Sequence, residues 1–262
     1  MTVMSARPGG AAMRQMPLDL GPSQVAGLDD FVVGGNEALL AWLQAWPQVE
    51  SLARPSYIWG PPGSGKSHLL RAMVERALAR GWGAIWLNAQ TCQMWEAQDP
   101  SWPTLALIDD CERLDATHQH LAFNLFIESA AAAAAAAPAA QAEAVARTSD
   151  DAPGGPLYIL AAGDRPPVDL PVRDDLRTRL GWGLIFSLSP LDEAGVRQAL
   201  VSEAARRGMG LPDDVLHFLL TRHSRNLGFL MALLDRLDRY ALAEHRVLTI
   251  PLLKQMLAAE TA

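Results

Sequence analysis

The chain has 262 residues, 50% of them hydrophobic and 19% charged, an ordinary balance for a folded protein with a sizeable core in one large or two small domains. A net charge of -7 argues against a broad DNA-binding face, because duplex affinity rests on clustered Lys and Arg; a local basic patch stays open. No window approaches the ~20 apolar residues that span a bilayer, and Met1-Thr-Val-Met-Ser-Ala-Arg-Pro lacks the apolar run of a signal peptide, so a cytoplasmic protein with no membrane partner is expected.

Residues 1–22 are rich in Gly, Pro and Met, show no periodicity and read as a flexible tail. Phe31-Val32-Val33-Gly34 leads into a helix through Glu37 to Leu43. Tyr57-Ile58-Trp59 reads as a buried strand, followed by Gly60 to Ser67 and a helix to Arg80 with Leu70, Met73, Ala77 and Leu78 on one face. Gly83 to Leu87 is a second strand and Leu105 to Ile108 a third, ending in Asp109-Asp110. A helix through Leu121 to Ile127 should be prolonged by the alanine run Ala130 to Ala137 until Pro138 ends it. Residues 130–156 read as a tolerated insertion whose polar part forms a surface loop. Leu157 to Ala161 and Leu184 to Leu188 are the fourth and fifth strands. Strands alternating with helices predict a five-stranded parallel sheet in an αβα sandwich. Cys92 and Cys111 have neither metal-site nor disulfide-framework spacing and are expected to be reduced core residues. Past Ser189 the pattern is wholly helical: Asp192 to Arg207, Pro212 to Leu220, Leu227 to Glu244, and a fourth helix capped by Thr249. The expected organisation is a tail (1–22), an α/β base (23–183) and a small helical domain (184–262).

The chemistry begins at Gly60-Pro61-Pro62-Gly63-Ser64-Gly65-Lys66-Ser67, a complete phosphate-binding loop between a strand and a helix. The glycines let backbone N–H groups face phosphate oxygens, and the helix N-terminus adds partial positive charge. Lys66 can reach the terminal phosphates and the Ser67 hydroxyl can take a magnesium position, so ADP or ATP with Mg2+ is the expected ligand. Asp109, at a strand end downstream, is placed to join Ser67 at the metal, and Asp110 to orient or activate water. The plainer alternative is a pair of helix-capping aspartates. Gly163-Asp164-Arg165-Pro166-Pro167 ends the fourth strand in polar groups able to sense a γ-phosphate, a weak signal by itself. Arg177 and Arg179 sit on a short helix after it, and such exposed arginines are usually just solvated.

In this order, Phe31-Val-Val-Gly, Gly60 to Ser67, Leu107-Ile-Asp-Asp110, Gly163 to Pro167 and Leu176-Arg-Thr-Arg-Leu180 resemble the DnaA branch of the AAA+ ATPases over about residues 23–257. The Gly-Asp-Arg-Pro-Pro and Arg-Leu-Gly-Trp-Gly segments look most like those of Hda-type regulators, the DnaA-related inactivators of the replication initiator. The resemblance implies an AAA+ base with a helical lid, and nucleotide bordered by Phe31, Val32, Val33, His68 and Asp164. It also implies an arginine finger at Arg179, acting on nucleotide held by a neighbouring subunit, with DnaA as partner and DNA contacted only indirectly or weakly. Homo-oligomers stay open. The chain stops at Ala262 without the helix-turn-helix domain of an initiator, which favours a regulator.

In the tail, Gln15-Met16-Pro17-Leu18-Asp19-Leu20 fits the Gln-x-x-Leu-x-Leu form of peptides that dock on the DNA polymerase III sliding clamp. Met16, Leu18 and Leu20 would enter an apolar groove while the Gln15 amide fixes register. One position departs from the family: its usual lid arginine falls at Gly228 here. Either Arg225, a turn earlier, substitutes, or lid closure on a γ-phosphate is weakened and the working form holds ADP; a packing role for Gly228 is the third reading. The function expected is stimulation of ATP hydrolysis by DnaA from the DNA-loaded clamp. A helicase loader and a nucleotide-gated adaptor without catalytic effect are the alternatives.

Overall fold

A computed structural model describes residues 27–47, 54–136, 155–222 and 226–260. The tail peptide Gln15 to Leu20, residues 137–154 of the expected insertion, and Arg225 lie outside the described residues. In chain order the elements are α1 (Glu37–Ala45), β1 (Ser56–Trp59), α2 (Lys66–Ala79), β2 (Gly83–Leu87), β3 (Cys92–Trp95), β4 (Thr104–Ile108), α3 (Ala116–Ala136), β5 (Leu157–Gly163), α4 (Asp174–Leu180) and β6 (Leu184–Ser187). Four helices follow: α5 (Glu193–Arg206), α6 (Asp213–Arg222), α7 (Leu227–Glu244) and α8 (Ile250–Glu260).

The strands form one sheet in the order β3-β2-β4-β5-β1-β6. The five expected strands pair in parallel. Beside them runs an edge strand absent from the sequence reading, β3, antiparallel to β2. Cys92-Gln-Met-Trp95 offers neither an apolar run nor clean alternation, and its first three residues are exposed, so hydrophobic patterning cannot reveal it. Cys92 is therefore not a core residue, whereas Cys111 is.

Both faces of the sheet are covered, which is why its strands read as continuous apolar runs. Successive residues point to opposite faces. Ile58, Leu105, Leu107 and Leu160 pack against α1 and α2 through Leu39, Leu43, Leu69, Leu70 and Met73. Tyr57, Ala106, Ile108 and Ile159 pack against α3 and α4 through Ala122, Phe126, Leu176 and Leu180. Alanine has no side-chain entropy to lose, and α3 does extend through the alanine run to Ala136. Ser129, on that helix, donates its hydroxyl to the Leu157 carbonyl at 2.7 Å and ties α3 to β5.

One expected boundary moves. Leu184–Ser187 pairs with β1 as the other sheet edge, so the helical part begins at α5 and not at residue 184. Gly183 takes the chain hard past Pro55, where a Cβ would lie 1.5 Å from the Pro55 carbonyl oxygen. The helical domain closes its own core, with Leu200 of α5, Leu219 of α6, Leu233 and Leu237 of α7 and Leu252 of α8 fully buried. Asp192 caps α5 by accepting the Gly195 N–H at 2.7 Å, and Asn226 caps α7 by accepting that of Phe229 at 3.0 Å. Thr249 accepts the Leu252 N–H at 3.3 Å at the start of α8.

Candidate functional site: a phosphate-loop cavity under a helical lid

The loop from Gly60 to Lys66 leaves the carboxyl end of β1, the strand between β5 and β6, where ligands collect in open parallel sheets. Gly63 and Gly65 take φ of +80° and +104°, a region that suits only glycine comfortably and that curls successive N–H groups into an anion-binding nest. Lys66 begins α2, and its ammonium donates to the Gly60 carbonyl at 2.6 Å and the Pro61 carbonyl at 3.1 Å. Burial lowers the Lys66 pKa, while Glu112, Asp110, Asp109 and Asp164 pull it the other way. Two polar atoms here are buried without a hydrogen-bond partner, Ser64 Oγ and His68 Nε2. Such orphaned groups cost about 1–3 kcal/mol each, a debt that a polar ligand in the cavity would cancel.

The cavity has a volume of about 610 Å³, within the usual range for small-molecule sites. The base lines it with Phe31, Val32, Pro62 to His68, Arg71 and Asp110; the lid lines it with Glu203, Arg206, Arg207, Leu227, Gly228 and Met231, among others. The residues therefore fit a phosphate-bearing ligand.

Asp109 is 4% exposed at the end of β4 and is hydrogen-bonded to the Ser67 side chain. Burial pushes its pKa up, and the neighbouring Asp110 charge adds to this. Asp110 N–H donates to Asp109 Oδ1 at 3.0 Å. Asp110 itself adopts a left-handed backbone (φ 48°), which aims its side chain at the cavity; non-glycine residues in that region often mark functional sites. Ser67 and Asp109 thus present adjacent oxygen ligands suited to Mg2+, which commonly uses one or two carboxylates plus substrate phosphates.

Several expected site residues are off the cavity wall, the buried Asp109 among them. Gly60 and Pro61 do not line the cavity; their carbonyls hold Lys66. Val33 is not on its wall either, and its carbonyl accepts two hydrogen bonds from Asn36, both at 2.9 Å. Asp164 is also off the cavity wall: its carboxylate takes Arg165 in a bidentate pair at 2.8 and 2.7 Å, which lowers its pKa.

Two residues escaped the sequence reading. Glu112 accepts the Asp164 N–H at 3.2 Å, and burial raises its pKa; an acid two places after Asp110 was the available signal. Asn226, besides capping α7, donates to the Pro62 carbonyl at 2.9 Å and so clasps lid to loop. That bond spans 164 residues of sequence, and no local pattern announces it. Gly228 is seated under the same clasp: a Cβ there would lie 3.2 Å from Asn226 Oδ1 and 3.6 Å from Gly63 Cα. The packing reading of Gly228 is thereby supported. In the same cavity lining, Arg206 and Arg207 both bind Glu203, at 2.7 and 2.6 Å.

The two arginines of α4 differ sharply. Arg177 is anchored, donating to Asp174, Leu170 and Val172 at 2.8, 3.1 and 2.8 Å. Arg179 lies outside its own chain's cavity, its guanidinium 4.1 Å from the centroid of the Trp182 ring and 5.9 Å from that of Phe123.

A parallel sheet with a phosphate loop, paired strand-end acids and a helical lid defines the class, an AAA+ module. Similar solved structures agree. Domain III of the Thermotoga maritima replication initiation protein DnaA superposes with a TM-score of 0.61 at 18% identity, over 89% of this chain and 95% of that one. The replication initiator DnaA bound to AMPPCP and single-stranded DNA gives 0.54 at 20% identity, over 84% and 66%. A Thermotoga maritima RuvB mutant gives 0.57 at 14% identity, over 89% and 72%. Residues 192–257 match the family described as the Hda lid domain. More narrowly, then, the helical domain is similar to that of Hda, and the fold of the whole is that of DnaA domain III. Among the described residues, no helix is long and apolar enough to cross a membrane.

Proposed function

We propose that this protein is a nucleotide-bound negative regulator of replication initiation: it docks on the DNA-loaded sliding clamp through Gln15 to Leu20 and supplies Arg179 in trans to ATP held by DnaA. The observation that carries this reading is the contrast between the two ends of the base domain. At one end a complete phosphate loop is covered by a lid with glycine at position 228. At the other, Arg179 is a cation with no ion pair among the described residues and no place in its own cavity.

In its own site, the loop amides and Lys66 hold the phosphates, and His68 and Phe31 border the rest of the nucleotide. A bound Mg2+, held by Ser67 and Asp109, would neutralise phosphate charge. Asp110, on the cavity wall, would orient water. No side chain at Gly228 answers a γ-phosphate, and Arg206 and Arg207 are both engaged by Glu203, which favours ADP as the resident nucleotide. Toward DnaA the chemistry is electrostatic. An arginine delivered from a neighbour stabilises charge that develops on the transferring phosphoryl group, worth about 10³–10⁵ in rate in other systems.

Hydrolysis of ATP bound to DnaA, followed with DNA-loaded clamp present, tests the assignment. Arg179→Ala should eliminate the stimulation while leaving clamp and ADP binding intact. Arg177→Ala should have a much smaller effect on the DnaA reaction, because its guanidinium is spent on α4 and the preceding loop. Full stimulation by Arg179→Ala would make Arg179 a surface residue and sink the assignment.

A further inference from the structure

We propose that Trp182 is the positioning residue of Arg179, holding its guanidinium outward and rigid without consuming its hydrogen-bond donors; this rests on the reading above, in which Arg179 serves nucleotide on DnaA. Trp182 is 63% exposed, so the core has no use for its ring, yet its backbone is fixed on both sides. Its N–H donates to the Arg179 carbonyl at 3.2 Å, folding the chain back over the last turn of α4. On the other side, Gly183 passes against Pro55, and the Leu184 N–H donates to the Pro55 carbonyl at 3.2 Å. The ring is thus laid across the guanidinium, which Phe123 of α3 flanks at 5.9 Å.

The chemistry of this contact matters more than its strength. A carboxylate partner would fix Arg179 by taking N–H groups and offsetting its charge, as Asp174 takes one N–H of Arg177. An aromatic face holds the planar cation through its quadrupole and leaves all five in-plane donors and the full charge for phosphate oxygens. A mobile arginine would instead have to be ordered at each encounter, and ordering an interface side chain costs about 0.5–1.5 kcal/mol.

The test measures single-turnover hydrolysis of DnaA-bound ATP with DNA-loaded clamp, over a range of regulator concentrations. Trp182→Ala should lower the rate at saturation by about three- to thirtyfold, the size of a cation–π contact, with little change in the half-saturating concentration. Trp182→Leu, which keeps apolar bulk without a ring face, should fall similarly, and Trp182→Phe should recover most of the rate. In an Arg179→Ala background, Trp182→Ala should cause no further loss. Should Trp182→Ala or Trp182→Leu, folded and binding ADP, match wild type while Arg179→Ala is inactive, the positioning role is wrong and the arginine assignment survives. A shift confined to the half-saturating concentration would make Trp182 a partner contact and overturn the proposal equally. Wild-type behaviour of Arg179→Ala would remove the underlying reading as well.

Discussion

Asp109 keeps a carboxyl group almost wholly out of water, with a second acid next to it and the Ser67 side chain as a hydrogen-bond partner. Its pKa in the fold lies above the unfolded value, so the folded state retains a proton that the unfolded chain releases. The neutral form therefore carries no charge-burial cost at low pH; the cost appears as pH rises past the ordinary carboxylate range and is complete above the raised pKa. Asp109→Asn should accordingly raise the melting temperature of the nucleotide-free protein at neutral pH. That gain should shrink as the pH falls through the raised pKa, and magnesium should cease to strengthen nucleotide binding. Thermal melts of both proteins across a pH series check the first part, and calorimetry with and without Mg2+ checks the second. Lys66 makes the opposite argument, a buried cation whose carbonyl partners merely park it beside the loop. Lys66→Ala removes a charge-assisted contact worth about 1.5–3 kcal/mol, so ADP and ATP affinity measured by calorimetry should both fall roughly ten- to a hundredfold.

At the scale of elements, the N-terminus of α7 decides how the lid meets the loop. Asn226 serves the helix through Oδ1 and the loop through Nδ2, and it lies so close to the loop that a Cβ on Gly63 would come within 2.5 Å of its Oδ1. Asn226→Ala should cost about 0.5–2 kcal/mol as a lost cap, read as a lower denaturation midpoint. It should also speed hydrogen exchange in the Pro62 to Gly65 backbone, because the clasp goes with the cap. Retention of wild-type exchange there would show the clasp to be incidental. The helices and the five parallel strands were legible in the sequence for physical reasons: α7 buries a stripe of leucines at helical spacing, and both-face burial makes β1, β2, β4 and β5 largely apolar. β3 was not, since an exposed edge strand is specified by its neighbour's unpaired backbone more than by its own side chains. The lid boundary erred at β6: the strand itself was legible, but its pairing with β1, which ties it to the base, is a long-range contact that no local pattern shows.

Across the whole molecule, the site was legible wherever chemistry depends on a short contiguous pattern, as in Gly60 to Ser67 and Asp109-Asp110. It was illegible wherever distant segments meet: Asn226 on Pro62, and Glu112 on Asp164. Arg179 was named by resemblance, and its difference from Arg177 is a matter of packing that spacing alone could only hint at. In the proposed function a nucleotide end holds the protein's own ligand and an arginine end acts on another's. The most direct measurement is single-turnover hydrolysis of ATP preloaded on DnaA, with this protein in its ADP form, with and without clamp loaded on DNA. The account predicts a large acceleration that requires the loaded clamp and is lost when Gln15, Leu18 and Leu20 are replaced together by alanine. An unchanged hydrolysis rate with every component present would contradict it.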